Sequence, residues 1–333
     1  MGKYEKITID DNHCFLCGRK FNEKNIIKTE EHVFPQWLLN DFNIRNEKIS
    51  LLNNTLIKYD KLKVPCCKPC NLAMGNAIEK PMKEAVAIGY RKLTKINRDI
   101  IFYWLLKLSY GILYKETCLK RDQAIKESVS ILEKDYISED YITNRCLLST
   151  INKKTEFFGK PYSLLIFNVD AHMQNKYWAY DCVGLDTYFM LINDIGIIIS
   201  FSDNGINEKF FMNYEEHRKI LIQKLHVVQF FEICAKYSYK KTLCRTDPIL
   251  TFFENGQKNV VVCPDVNIEY DEWKNTEYVE YFLFFQRFAN NNLEKSEIYQ
   301  DGKVATYLYD EKGDFYNMIK VENQAEKNKS NVS

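Results

Sequence analysis

VPCCKPCN at residues 64–71, with CFLCG at residues 14–18 upstream of it, decides how the first hundred residues fold. Two residues between cysteines let both sulfurs reach one ion from a tight turn. Cys14 and Cys17 with Cys67 and Cys70 therefore form a candidate four-cysteine site for a structural Zn2+. Cys66 is a rival ligand, but Cys67 keeps the two-residue spacing. Gly18 permits the first turn. Because the pairs are far apart in sequence, they meet only through the fold. Ion binding would then contribute folding energy to a module with little core of its own.

Between the pairs lies EEHVFPQWLLNDF, residues 30–42. Pro35 stands where a helix can start, because a first-turn proline loses no hydrogen bond. Residues 49–52 and 56–64 read as two strands around Asn53-Asn54. From Asn71 to about Leu93 the pattern is helical, with Pro81 placed to kink or divide it. The order is knuckle, histidine segment, hairpin, knuckle, helix.

EEHVFPQWLL followed by CxxCN, with Cys14 and Cys17 upstream, resembles HNH endonucleases of the ββα-metal type that carry their motif between two zinc knuckles. The resemblance covers roughly residues 14–80. It implies His32 as general base, Glu31 as a ligand of a catalytic Mg2+ or Mn2+, and Asn71 as the second ligand. These residue types suit that chemistry. A neutral imidazole titrates near pH 7, and hard cations prefer oxygen donors. Asn71 also has the character of a helix N-cap. Glu79, two helical turns after Asn71, is an additional ligand or the holder of a basic group. The family's asparagine, about nine residues before the second ligand, falls on Leu62 here. Asp60, Asn53 and Asn54 are the nearby candidates to orient His32. Lys58, Lys61, Lys63 and Lys68 surround the site as phosphate contacts or as solvated hairpin charges.

The chain has 333 residues, net charge +1 and 46% hydrophobic residues, enough for real cores. Residues 1–100 hold 18 Lys/Arg against 12 Asp/Glu, a basic excess suited to a polyanion. Residues 1–12 read as a polar lead without the apolar region of a secretion signal. The apolar run at 100–114, interrupted by Lys107, is too short to span a bilayer and reads as a buried helix. Eleven cysteines, five of them at the CxxC pairs, suit a reducing cytoplasm better than a disulfide framework.

Beyond residue 95 the pattern is less specific. Helices are expected over about 98–155, one of them at 121–136. β-rich runs follow at 163–201, then a long helix at about 214–240. Short strands are expected near Val260 and Tyr307, with a helix at about 270–289. His13 abuts the first knuckle, and four cysteines leave it no ligand role. His172, His217 and His226 are isolated and read as structural. The expected fold class is α+β. Residues 1–95 form a zinc-stapled HNH domain, 96–321 a helical then α+β domain, and 322–333 a disordered tail. Residues 96–321 are candidates for oligomerisation or a protein partner, and no membrane association is expected. The functional expectation is a metal-dependent DNA endonuclease, in a phage or bacterial-defence setting by analogy alone. The alternatives are a non-catalytic zinc module that binds nucleic acid and an RNase of the same architecture.

Overall fold

An antiparallel pair of short strands organises the first part of the chain. In the computed structural model, which describes residues 9–21, 26–132, 139–152, 154–170, 177–254 and 258–330, β1 (Lys28–His32) pairs with β4 (Lys63–Cys67), His32 standing opposite Lys63 and Lys28 opposite Cys67. Between them run α1 (Gln36–Asp41) and the hairpin of β2 (Lys48–Ser50) and β3 (Leu56–Lys58). That hairpin turns at Asn54, which takes a positive φ of 64°. The second strand read over 56–64 is thus two: β3 pairs with β2, and a 3-10 turn at Tyr59–Lys61 hands the chain to β4.

Helix α2 (Lys68–Met74) follows directly, then a π-helical turn at Gly75–Glu79, then α3 (Lys80–Ile88). The π turn sits just before Pro81, which has no N–H for the helical ladder and crowds the carbonyl one turn earlier. The proline expected to kink or divide the helix is met by a local widening of it. Asn71 lies inside α2, whose N-cap is Cys67, so the N-cap role read from its residue type does not hold.

Two units emerge from the packing: residues 1–88, 95–161 and 250–263 form one, and 89–94, 162–249 and 264–333 the other. Both mix helix and strand, and the fold class is α+β. The first unit reaches past the expected boundary at residue 95. The chain forms α4 (Tyr90–Leu93) in the second unit and returns as α5 (Arg98–Cys118), α6 (Glu139–Ser149) and β5 (Lys154–Phe158). α5 is apolar on nearly all sides, the mark of an enclosed helix. Phe15 of the first knuckle packs on its Tyr110 and Tyr114, and Trp37 of α1 stacks on Trp104. A Cβ at Gly111 would lie 2.9 Å from both methyls of Val33. Glycine there lets α5 lie directly against the chain leaving β1.

Glu116 of α5 is buried and accepts the Leu52 N–H at 2.8 Å. Burial pushes its carboxyl up to about 7. A carboxyl raised above its unfolded value of about 4.3 contributes fully below that value, and the contribution is lost as pH rises through about 7. Glu116→Gln is therefore expected to gain about 2 kcal/mol on the wild type between pH 5 and pH 8. Urea denaturation of both proteins at each pH measures it. A constant difference between them would contradict the assignment.

The helix expected over 121–136 is not formed in the described part. Residues 120–132 make turns and a bridge between Lys120 and Ser130, while 133–138 lie outside the described residues.

In the second unit β6 (Ser163–Asp170), β7 (Tyr177–Cys182), β8 (Thr187–Ile192) and β9 (Ile195–Ser200) match the β-rich runs. The sheet order is β10-β6-β9-β8-β7, where β10 is Lys224–His226. All residues of β8 and β9 are buried, which explains their unbroken apolar sequence. The long helix expected at 214–240 is instead α8 (Glu215–Leu221), β10 and α9 (Val227–Thr242) in succession, with α7 (Ile206–Asn213) before them. β10 adds in parallel to β6, and His226 caps α9 by accepting the Val228 N–H. His217 packs against Phe211 and Tyr214; His172 lies outside the described residues.

Back in the first unit, β11 (Thr251–Glu254) and β12 (Lys258–Val262) pair with each other, and β12 runs parallel to β5. In the second, α10 (Asn275–Gln286) packs on α9, and near Tyr307 the expected short strand is β14 (Lys303–Val304), paired antiparallel with β13 (Tyr299–Gln300) and followed by a bridge between Tyr309 and Phe315. The tail expected to be disordered is helical over Met318–Ser330; residues 331–333 lie outside the described part. Among the described residues no helix is long and apolar enough to cross a membrane.

Candidate metal centre and the His32 site

The first knuckle closes when Gly18, at a φ of 72°, donates its N–H to the Cys14 carbonyl. Phe15 N–H bonds Pro65 O and ties that knuckle to β4. The second knuckle spans the end of β4 and the first turn of α2, with Pro69 in that turn. Cys14, Cys17, Cys67 and Cys70 thereby come together with all four sulfurs within 4.8 Å of one another. A tetrahedral ion with bonds of about 2.3 Å sets sulfurs about 3.8 Å apart, and the Sγ atoms of Cys17 and Cys67 are 3.8 Å apart. The four cysteines thus fit a metal ion such as zinc.

The surroundings match a cluster of thiolates. Cys67 N–H points at Cys14 Sγ at 3.4 Å. Arg19 brings Nε to 3.3 Å from Cys17 Sγ and Nη2 to 3.7 Å from Cys67 Sγ, placing positive charge beside the sulfurs. Arg19 is a member that the spacing rule could not supply. Cys66 is fully buried on the adjoining position of β4, its Sγ 4.0 Å from that of Cys14 and donating to Cys67 O. His13 is engaged by Asp10 at 2.6 Å.

His32 ends β1 and is half-buried. Burial first, then the charges of Lys63, Lys107 and Arg45, hold its imidazole below the ordinary histidine range, against the opposing charge of Asp60. It is therefore neutral at pH 7 and able to accept a proton. Its Nε2 lies 2.6 Å from Gln36 Nε2. Of the residues considered to orient it, Asp60 acts on the ring through its charge, and the two asparagines are placed elsewhere. Asn53 donates to Arg121 O, and Asn54 makes the hairpin turn. Leu62 is fully buried, its carbonyl accepting the Val33 N–H.

The expected cation ligands depart from the expected arrangement. Glu31 is 8% exposed, and its Oε1 accepts from Lys107 Nζ at 2.6 Å. Glu79, on the π turn, accepts from the same Nζ at 2.5 Å, and the His32 carbonyl at 2.8 Å. Lys107 is fully buried and spends its three N–H donors on these three acceptors. Burial works to lower its pKa, but the Glu79 and Glu31 carboxylates outweigh that and hold the ammonium charged. For Glu31 burial is the stronger influence and the carboxyl is raised. Glu79 is thus the holder of a basic group, the second of the two roles its spacing allowed. Asn71 Nδ2 donates to Thr29 Oγ1 at 3.2 Å. Among the described residues, no second group of three or more His, Cys, Asp or Glu side chains is gathered to hold an ion.

The lysines expected at phosphates divide. Lys61 and Lys68 are exposed; Lys63 stands opposite His32 with its Nζ 3.4 Å from Glu30; Lys58 donates to Asn46.

An alignment over 261 residues, which covers 71% of this chain, is 23% identical to part of Protein TIC 214 of Lotus japonicus. The chain covers 14% of that protein's length, so it spans a small part of the relative it matches. No known family profile matches the chain, and no solved structure matches it.

Proposed function

We propose that the first unit is a zinc-stapled endonuclease module that hydrolyses phosphodiester bonds in DNA, with His32 as general base. The observation that carries this reading is local. A four-sulfur cluster fastens the β1–β4 pair to α2, and the pair ends in a half-buried neutral imidazole flanked by Lys63 and Arg45. His32 takes the proton of a water, the water oxygen attacks phosphorus, and the P–O3′ bond breaks, the departing 3′-oxygen taking up a proton from solvent. The products are a 5′-phosphate and a 3′-hydroxyl, as the HNH resemblance implies. Nearby lysines favour the polyanion, which makes binding salt-dependent.

The resemblance also implies a catalytic Mg2+ or Mn2+. With Lys107 on Glu31 and Glu79, and Thr29 on Asn71, that donor set does not fit a divalent cation as it stands. The steps above therefore use the chain's own residues. The same observation favours a second reading, a zinc module that binds nucleic acid without cleaving it.

Plasmid nicking with Mg2+ or Mn2+ separates the two. His32→Ala is expected to lower the rate by about 10²–10⁴-fold while DNA binding is kept. Equal cleavage by both proteins, or binding without cleavage under either metal, would remove the enzyme reading. Competition by RNA tests an RNase of the same architecture.

A further inference from the structure

We propose that Gln36, anchored by Arg45, is the positioning residue for His32, holding its ring in the Nδ1–H tautomer with the lone pair on Nε2. This rests on the reading of His32 as the base, and it names what orients that base where Leu62 stands in place of the asparagine.

The available donors decide the tautomer. Arg45 Nη2 bonds Gln36 Oε1 and, at 2.8 Å, Asn40 Oδ1. A guanidinium has only donors, so the Gln36 carbonyl must face it. The amide nitrogen then faces His32 Nε2, 2.6 Å away. Because an amide nitrogen donates and does not accept, Nε2 must be the accepting ring nitrogen and Nδ1 carries the hydrogen.

Local structure places each member. Pro35, extended at ψ 150°, caps α1, so that Gln36 is its first residue and turns back toward the end of β1. Asn43, at a φ of 54°, and buried Ile44 bring the chain round after α1 to set Arg45 beside it. Leu62 lies fully buried in the apolar core, and its side chain has no polar group to offer the ring. At rest the amide occupies the Nε2 lone pair. A substrate phosphate competing for Arg45 would free the amide and open Nε2 to water.

The test uses the full-length zinc-loaded protein with 15N-labelled histidine. The His32 signals are assigned by their loss in His32→Ala. Wild type is expected to show a protonated Nδ1 and a bare Nε2. Gln36→Glu offers only acceptors, so the two nitrogens are expected to exchange roles. Unchanged zinc content verifies that the variant is folded. A wild type with hydrogen on Nε2, or a Gln36→Glu protein with the wild-type pattern, overturns the proposal. In the cleavage assay Gln36→Glu is expected to lower kcat at least about tenfold with little change in KM. If the tautomer exchanges as expected but His32→Ala cleaves like wild type, the base reading fails and the orientation by Gln36 stands.

Discussion

Stripping the metal from the four-cysteine cluster is expected to unfold the first unit. Chelation, or Cys70→Ser, should abolish the native spectrum of residues 9–88 while leaving signals of the second-unit sheet. The four sulfurs join the first knuckle to the junction of β4 and α2, which the knuckle otherwise meets through the Phe15 N–H to Pro65 O bond. Without an ion, several thiolates would face one another at close range, and their protonation would remove the charge that Cys67 N–H and Arg19 now meet. Structural zinc in small modules contributes an apparent ~10–16 kcal/mol near neutral pH, more than the ~5–15 kcal/mol net stability of a typical domain. Metal analysis, circular dichroism and amide NMR before and after chelation measure the effect. A metal-free protein with native amide shifts in β1 and β4 would show that the sulfurs only pack together.

Lys107→Met is expected to cost about 3–5 kcal/mol, because it leaves Glu31 and Glu79 largely buried and facing each other without a cation. Methionine fits the space of the lysine stem, so the loss is electrostatic and not a cavity. Adding Glu31→Gln and Glu79→Gln removes the stranded charges, and the triple variant is expected to recover more than half of the loss. Urea midpoints in zinc-containing buffer give both numbers. A Lys107→Met protein as stable as wild type would mean that the carboxylates find other protons or partners at no cost. Because Lys107 also holds the His32 carbonyl, the single variant should loosen the end of β1 more than its centre, which hydrogen exchange can resolve.

Much of the first unit was legible because its rules are local. A CxxC pair confines two sulfurs to one turn whatever else the chain does, and two pairs can satisfy a tetrahedral ion only by converging. That requirement selected the four ligands, favoured Cys67 over Cys66 and set the order of elements. Runs such as TYFMLIN and IGIIISF announced strands, and the structure buries both of their faces. Short polar segments that interrupt a helical pattern were not legible in the same way. Lys224–His226 carries no strand signal by itself and becomes one only because β6 offers an edge.

The amino-acid sequence by itself determined the α+β class, the sulfur cluster and the placing of a histidine between its halves, since each follows from spacing within a turn or a strand. The tertiary structure alone decided what Glu31, Glu79 and His32 face. Lys107 is 76 residues from Glu31 and reaches it because α5 lies against the chain leaving β1 at Gly111. Gln36 meets Arg45 only after a turn through Asn43. A charge's partner depends on which buried surfaces close on one another, and that is settled by the packing of the whole unit and not by neighbours in sequence.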